Sequence, residues 1–332
     1  MRRAPLVPVA LVLMALVAVT GGLWKADLRT GATPPLKAEK CDCVRNLRMC
    51  LLHRMQSGPL QDGGVAEALA LGWKADIDRD TRAHYRNAGL AHLLAVSGLH
   101  VGILAGIVGV LFWWTGRERR GRIIRGALQL LAVWGFAFIT GLAPSTLRAA
   151  QMFSVFIVND MVARRVVPLN LLALVAIVML LADPLLLYDV GWQLSFSAVA
   201  GILLAQPAIM SLRTNIGQAA AVSVAATLAT LPVVVATFHR LPLYFVVANV
   251  IVVPAAGVIL ALSLLYMAVP CMVTAWPLQM LLRGTDTLTA WVSSLPYAVA
   301  EDIYLSTPLL AVLTVVVIAL LLLPQFLIRR GV

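Results

Sequence analysis

Two histidines and a serine, His92, His100 and Ser97, are the residues of this chain most able to do chemistry, because they interrupt an otherwise apolar stretch, NAGLAHLLAVSGLHVGILAG at 87–106. A plain bilayer anchor has no use for them. Polar side chains are costly in hydrocarbon, so each must find a partner or a wet path. Read as one helix, the stretch places His92, Val96 and His100 on a single stripe, with Gly98, Gly102 and Gly106 one turn apart and roughly 125° away. Small residues four apart let a second helix approach closely. The histidine face is then free to line a cavity, as a pore or transport path requires. For His92 taken alone, a simple hydrogen bond to a neighbouring helix explains the residue better than catalysis does.

Two further polar clusters lie in apolar surroundings. In PSTLRAAQMFSVFIVND, Arg148, Met152, Val155 and Asn159 share one stripe, flanked by Ser145 and Gln151. An arginine there either snorkels to the interface or faces the bundle interior, where its planar fork suits phosphate oxygens. In DPLLLYDVGWQLSFSAVAG, Asp189, Gln193 and Ser197 recur at every fourth position and make a polar stripe. A structural ion pair between Asp189 and Arg148 is the plain alternative to a functional role for either. His, Ser and Asp together also admit an intramembrane hydrolase or transferase acting on lipid-linked substrates, provided they come within hydrogen-bond reach. The chain has no GxxxxGK[ST] phosphate loop, no GxSxG elbow and no HxxxH or HxH pairing beside a carboxylate. No catalytic set, cofactor or metal site is read from it, and anything it moves must be driven from elsewhere.

These residues sit in a chain of 332 residues that is 61% hydrophobic and only 12% charged, with a mean hydropathy of +0.91. Such usage excludes an ordinary soluble domain. Apolar runs of about 20 residues, each matched to a hydrocarbon core, recur along the chain and predict an all-α, polytopic transmembrane helix bundle. We read ten spans, at 1–24 and near 90–114, 123–142, 145–163, 168–183, 189–207, 217–238, 242–270, 275–297 and 306–328. The 242–270 run holds Asn249 and Pro254 and is expected to be broken or re-entrant. The organisation is an N-terminal anchor at 1–24, an extracytoplasmic polar segment with an amphipathic helix or linker at 25–88, and a core at 89–328. Net charge is +11, clustered at Gly116 to Arg125, Arg164-Arg165 and Arg329-Arg330, which places those loops and both termini in the cytoplasm. Cys41, Cys43 and Cys50 fall in the outer segment. They form either one disulfide or a set of idle thiols, and CxC with a lone third cysteine is a poor zinc pattern.

The clusters resemble the ComEC-type competence permeases, inner-membrane proteins through which naturally transformable bacteria take up single-stranded DNA. The matching segments are AGLAHLLAVSGLHVGI at 88–103, TGLAPSTLRAAQMF at 140–153, ADPLLLYDVGWQLSFSAVAGI at 182–202 and LPLYFVVANVIVVPAAG at 241–257, with ALALGWKADIDRDTRAHYRNAG leading into the first. The likeness covers roughly 65–325. It implies a channel for single-stranded DNA, lined by His92, Ser97, His100, Ser145, Asp189, Gln193, Ser197 and Asn249, with Arg148 on phosphate. Gly98, Gly102, Gly106 and Pro254 would shape its walls. Its partners would be DNA, the lipid bilayer and separate receptor, nuclease and motor proteins. Full-length relatives usually add an OB-like domain and many add a domain similar to metallo-β-lactamases, for which this chain has no HxHxDH run, so the likeness implies the channel core alone. A degenerate member that only scaffolds other membrane proteins is the remaining alternative.

Overall fold

The structure, a computed structural model, describes residues 42–116, 118–162 and 166–329. The anchor expected at 1–24, Cys41, Arg164-Arg165 and Arg330 lie outside them. Among the described residues the fold is all-α, with strand limited to the two-residue segments Leu241–Pro242 and Val299–Ala300. Four helices are long and apolar enough to cross a membrane: Arg119–Ile139, Val190–Ser211, Asn215–Phe238 and Phe245–Ala268. Gly98–Leu111, Pro168–Ala182 and the 307–323 part of the last helix are apolar but shorter. Large apolar side chains such as Leu131, Leu181 and Val273 stand exposed. Outward-facing apolar surface of this kind is what lipid, and not water, accommodates, so the chain is a membrane protein.

The helices fall into two compact units. The larger takes residues 34–164 and 242–299. It contains α1 (Asp42–Gln56), α2 (Gly64–Leu71), α3 (Arg79–Asn87), α4 (Gly98–Leu111), α5 (Arg119–Ile139), α6 (Pro144–Met161), α10 (Phe245–Ala268) and α11 (Met272–Ser294). One core cluster joins Leu69 and Leu71 of α2, Leu90 and Leu93, Val252 and Ile259 of α10, and Leu278 of α11. A second joins Val101 of α4, Val133 and Phe136 of α5, Ala150 and Ile157 of α6, and Leu260 of α10. The short helix α2 is buried from Val65 to Leu71. It stops at Gly72, whose φ of +68° lets its N–H close on the Ala68 carbonyl, the usual glycine helix stop. The amphipathic segment forms α3. Its charged residues face out, and its one buried side chain, Tyr85, is anchored by donation to Asp286 Oδ1 at 3.0 Å on α11.

The smaller unit takes residues 165–241 and 300–332. Within it lie α7 (Pro168–Ala182), α8 (Val190–Ser211), α9 (Asn215–Phe238) and α12 (Thr307–Arg329). The helices α8 and α9 form a hairpin, with Thr214 capping α9 by accepting from the Gly217 N–H at 3.1 Å. Gly201 lets the two backbones meet, since a Cβ there would stand 2.8 Å from the Ala225 carbonyl oxygen. Trp192 is fully buried and stacks on Phe196 with ring centroids 4.3 Å apart.

Two sequence expectations are corrected here. The 87–106 stretch is not one helix: residues 88–97 form turns, and α4 begins only at Gly98. The cause lies at Gly89, whose φ is +80° and whose position would hold a Cβ 2.9 Å from Phe245 Cβ. Only glycine takes that corner without strain, so the stripe drawn through His92 does not exist. Conversely, α10 runs unbroken through Pro254. Proline removes one backbone hydrogen bond, but Val252, Ala256, Ile259 and Leu260 are all buried around it, and that packing holds the helix together.

Candidate functional site

Ser97, His100 and Ser145 of the larger unit gather where the first turns of α4 and α6 meet. Ser97 precedes α4 in extended backbone, as an N-cap residue does. Its backbone N–H donates to His100 Nδ1 at 3.0 Å, and its Oγ lies 3.0 Å from the same nitrogen. A backbone N–H can only donate, so Nδ1 carries the lone pair and the neutral ring holds its proton on Nε2. His100 is 0% exposed, and that Nε2 has no hydrogen-bond partner among the described residues. Beside it, Ser145 Oγ donates to the Val96 carbonyl at 2.7 Å, tying α6 to the residue before Ser97.

The glycines differ in what they permit. A Cβ at Gly98 would make an ordinary 3.7 Å contact with Ala149 of α6, whereas at Gly102 it would stand 2.7 Å from the tip of the Phe153 ring. Gly106 faces open space, which corrects the expectation that it packs a wall. One residue before Ala149 lies Arg148, only 8% exposed. A snorkelling arginine would display its fork on the helix surface, so this cation faces the protein interior. On α10, Asn249 is also 8% exposed. The helices α4 and α10 approach at Gly257, where a Cβ would lie 3.1 Å from Ile103 Cδ1. His92 lies in the turn region and is exposed.

The remaining three belong to the smaller unit. Asp189 is the N-cap of α8, its Oδ1 accepting from the Trp192 N–H at 2.5 Å. Gln193 is buried and donates through Nε2 to the Leu187 carbonyl at 2.8 Å, which satisfies the preceding 3₁₀ turn at Pro184–Tyr188. Ser197 is buried one turn further on. The polar stripe down α8 is thus real from Gln193 to Ser197, while Asp189 stands at its head as a helix cap.

Sequence reasoning passed over a second polar group in the larger unit. Glu67, which lies in the segment expected to be polar and extracytoplasmic, is buried at 5% exposure. Asp76, read as part of a solvated connector, accepts from Trp73 Nε1 at 2.8 Å and from Gln56 Nε2 at 3.0 Å. Burial first, and then the neighbouring Asp76 carboxyl, push Glu67 up to about 7. Asp78 caps α3, and the backbone N–H of Asp80 foremost holds its carboxyl below the usual range. Arg48 was missed too. Its guanidinium stands 5.4 Å over the Trp73 ring, a cation–π contact. The only available signal was a lone glutamate in GVAEALAL, whose other side chains are all apolar. Cys50 is an exposed free thiol. Among the described residues, no three His, Cys, Asp or Glu are grouped to hold a metal ion.

Comparison with known proteins bears on residues 69–330, which match the family model described as Competence protein. ComE operon protein 3 of Bacillus subtilis is 34% identical over 196 residues, covering 59% of this chain and 25% of that protein. Recombination protein 2 of Haemophilus influenzae is 31% identical over 192 residues, covering 55% of this chain and 23% of that protein. The chain spans about a quarter of the length of the curated relatives it matches. No solved structure matches.

Proposed function

The chain belongs to the competence protein family, and on that premise we propose that it forms a helical path by which single-stranded DNA crosses the bacterial cytoplasmic membrane during natural transformation. The observation that carries this reading is Arg148, an arginine of α6 buried to 8% exposure. A buried cation is expensive to hold, and its planar fork suits the oxygens of a phosphate backbone. Ser97, His100 and Asn249 supply polar groups in the same unit. On this reading both termini are cytoplasmic and the chain performs no catalysis of its own. Receptor, nuclease and motor functions come from separate proteins.

Cross-linking during uptake tests the path. A photoreactive side chain is placed at Asn249 or at Ile251, two residues apart on α10 and 8% and 50% exposed, and cells take up labelled DNA. Capture at 249 and none at 251 is the expected result. Equal capture at both positions, or capture at 251 alone, rejects the reading.

One observation favours a second reading as a hydrolase or transferase: Ser97 Oγ lies within hydrogen-bond reach of His100. The contacted nitrogen already accepts the Ser97 N–H, the geometry of a helix start rather than of an activated nucleophile. A fluorophosphonate probe that labels Ser97 would revive it, and an unlabelled protein retires it.

A further inference from the structure

We propose that Glu67 and Asp76 form one proton-binding site, in which Glu67 donates a shared proton to the Asp76 carboxylate and so fastens the 73–78 turn to α2. The assignment of donor and acceptor follows from the partners. Asp76 Oδ2 already accepts two N–H groups, from Trp73 at 2.8 Å and Gln56 at 3.0 Å. Those two donors mark it as the accepting member of the pair. Glu67 is buried where Asp76 is not: it is 5% exposed on a helix of otherwise apolar side chains, and its Oε2 has no hydrogen-bond partner among the described residues. An ionised oxygen left so bears an uncompensated desolvation penalty, whereas a protonated one becomes a donor.

The turn is built to keep the two carboxyls together. A Cβ at Gly64 would stand 2.6 Å from the Asp76 carbonyl oxygen, so glycine alone permits the approach. The Trp73 N–H donates to the Glu67 carbonyl at 3.3 Å. Among the described residues the charge that bears on Glu67 is that of Asp76, and the Gln56 side chain of α1 offsets it in part by hydrogen bonding to Glu67. Arg82 spends its fork on the Lys74 and Ala75 carbonyls. From α10 comes Tyr266, whose hydroxyl donates to the Met55 carbonyl at 3.2 Å and accepts from the Leu60 N–H at 3.1 Å.

The direction of the pH dependence follows. Glu67 is raised from 4.5 to about 7, so the stabilisation is present in full below the unfolded value, is lost progressively as pH climbs, and is gone above about pH 7. Deprotonation releases one proton to solvent and leaves two facing carboxylates, which repel and loosen the turn.

The test compares the full-length wild type, E67Q and D76N in detergent. Thermal unfolding is followed from about pH 5 to about pH 8, together with the infrared carbonyl band of a protonated carboxyl. The wild type should lose several degrees over this range and E67Q, a permanent mimic of the protonated acid, should not. The infrared band should be present in the wild type at about pH 6, absent in E67Q, and lost at lower pH in D76N, where the partner charge is gone. An equal loss of melting temperature in E67Q, or a band that D76N leaves unmoved, overturns the shared proton. A rise of melting temperature with magnesium or calcium in the wild type alone overturns it in favour of a cation site.

Discussion

Replacing Gly201 by alanine gives the sharpest test of the packing, because two effects of opposite sign meet at one methyl group. Alanine is the better helix former by about 1 kcal/mol. If Gly201 faced lipid, Gly201→Ala would therefore stabilise α8. In the structure the added Cβ would instead overlap Ala229 Cβ and stand 2.8 Å from the Ala225 carbonyl oxygen. Neither atom is the far end of a flexible side chain, so α8 and α9 must separate, and overpacking of this kind costs about 1–3 kcal/mol. The expected net result is destabilisation. Adding Ala229→Gly removes one overlap but leaves the carbonyl contact, so the double variant should recover part of the loss and not all of it. Denaturant unfolding in micelles, followed by tryptophan fluorescence, reads both effects. A Gly201→Ala protein as stable as the wild type, or more so, refutes the α8–α9 crossing described here.

Two further outcomes concern the segment before α4. Tyr85→Phe keeps the ring but removes the donor to Asp286 Oδ1, leaving a half-buried carboxylate short of a partner. Denaturant unfolding should show a loss of about 1–3 kcal/mol, and an unchanged midpoint would mean that α3 does not dock through this bond. For Glu67, the rise from 4.5 to about 7 sets a ceiling of about 3 kcal/mol on the stability lost between acid and neutral pH. A wild type whose stability does not fall across that window contradicts the buried carboxyl.

The sequence was most legible where physics is local. Long apolar runs place α5 to α12 within a few residues of where they stand, because twenty apolar residues in a row have few other fates. The start of α4 was hidden by the same rule. Apolar residues continue through 88–97, and only Gly89, held at positive φ against Phe245, reveals the turn. Pro254 misled in the other direction, since its cost is local while the packing that overrides it comes from other helices. The sequence singles out Arg148 by type and position, while its burial at 8% exposure is a tertiary fact that no periodicity supplies. Asp189 shows how one residue type serves two ends: a carboxylate at the head of an apolar run reads as a site, and it caps a helix. The partnership of Glu67 with Asp76 was least legible, because a turn brings the two together and no periodicity marks it.

The measurement that bears most directly on the DNA path is uptake of labelled DNA by cells carrying Arg148→Ala or Arg148→Lys in place of the wild type, with membrane insertion and protein level matched. If Arg148 meets the phosphate backbone, alanine should lower uptake by about tenfold or more, equivalent to the loss of one charge-assisted contact of roughly 1.5–3 kcal/mol. Lysine, which keeps the charge but not the planar fork, should fall between. Wild-type uptake by the alanine variant would contradict the account.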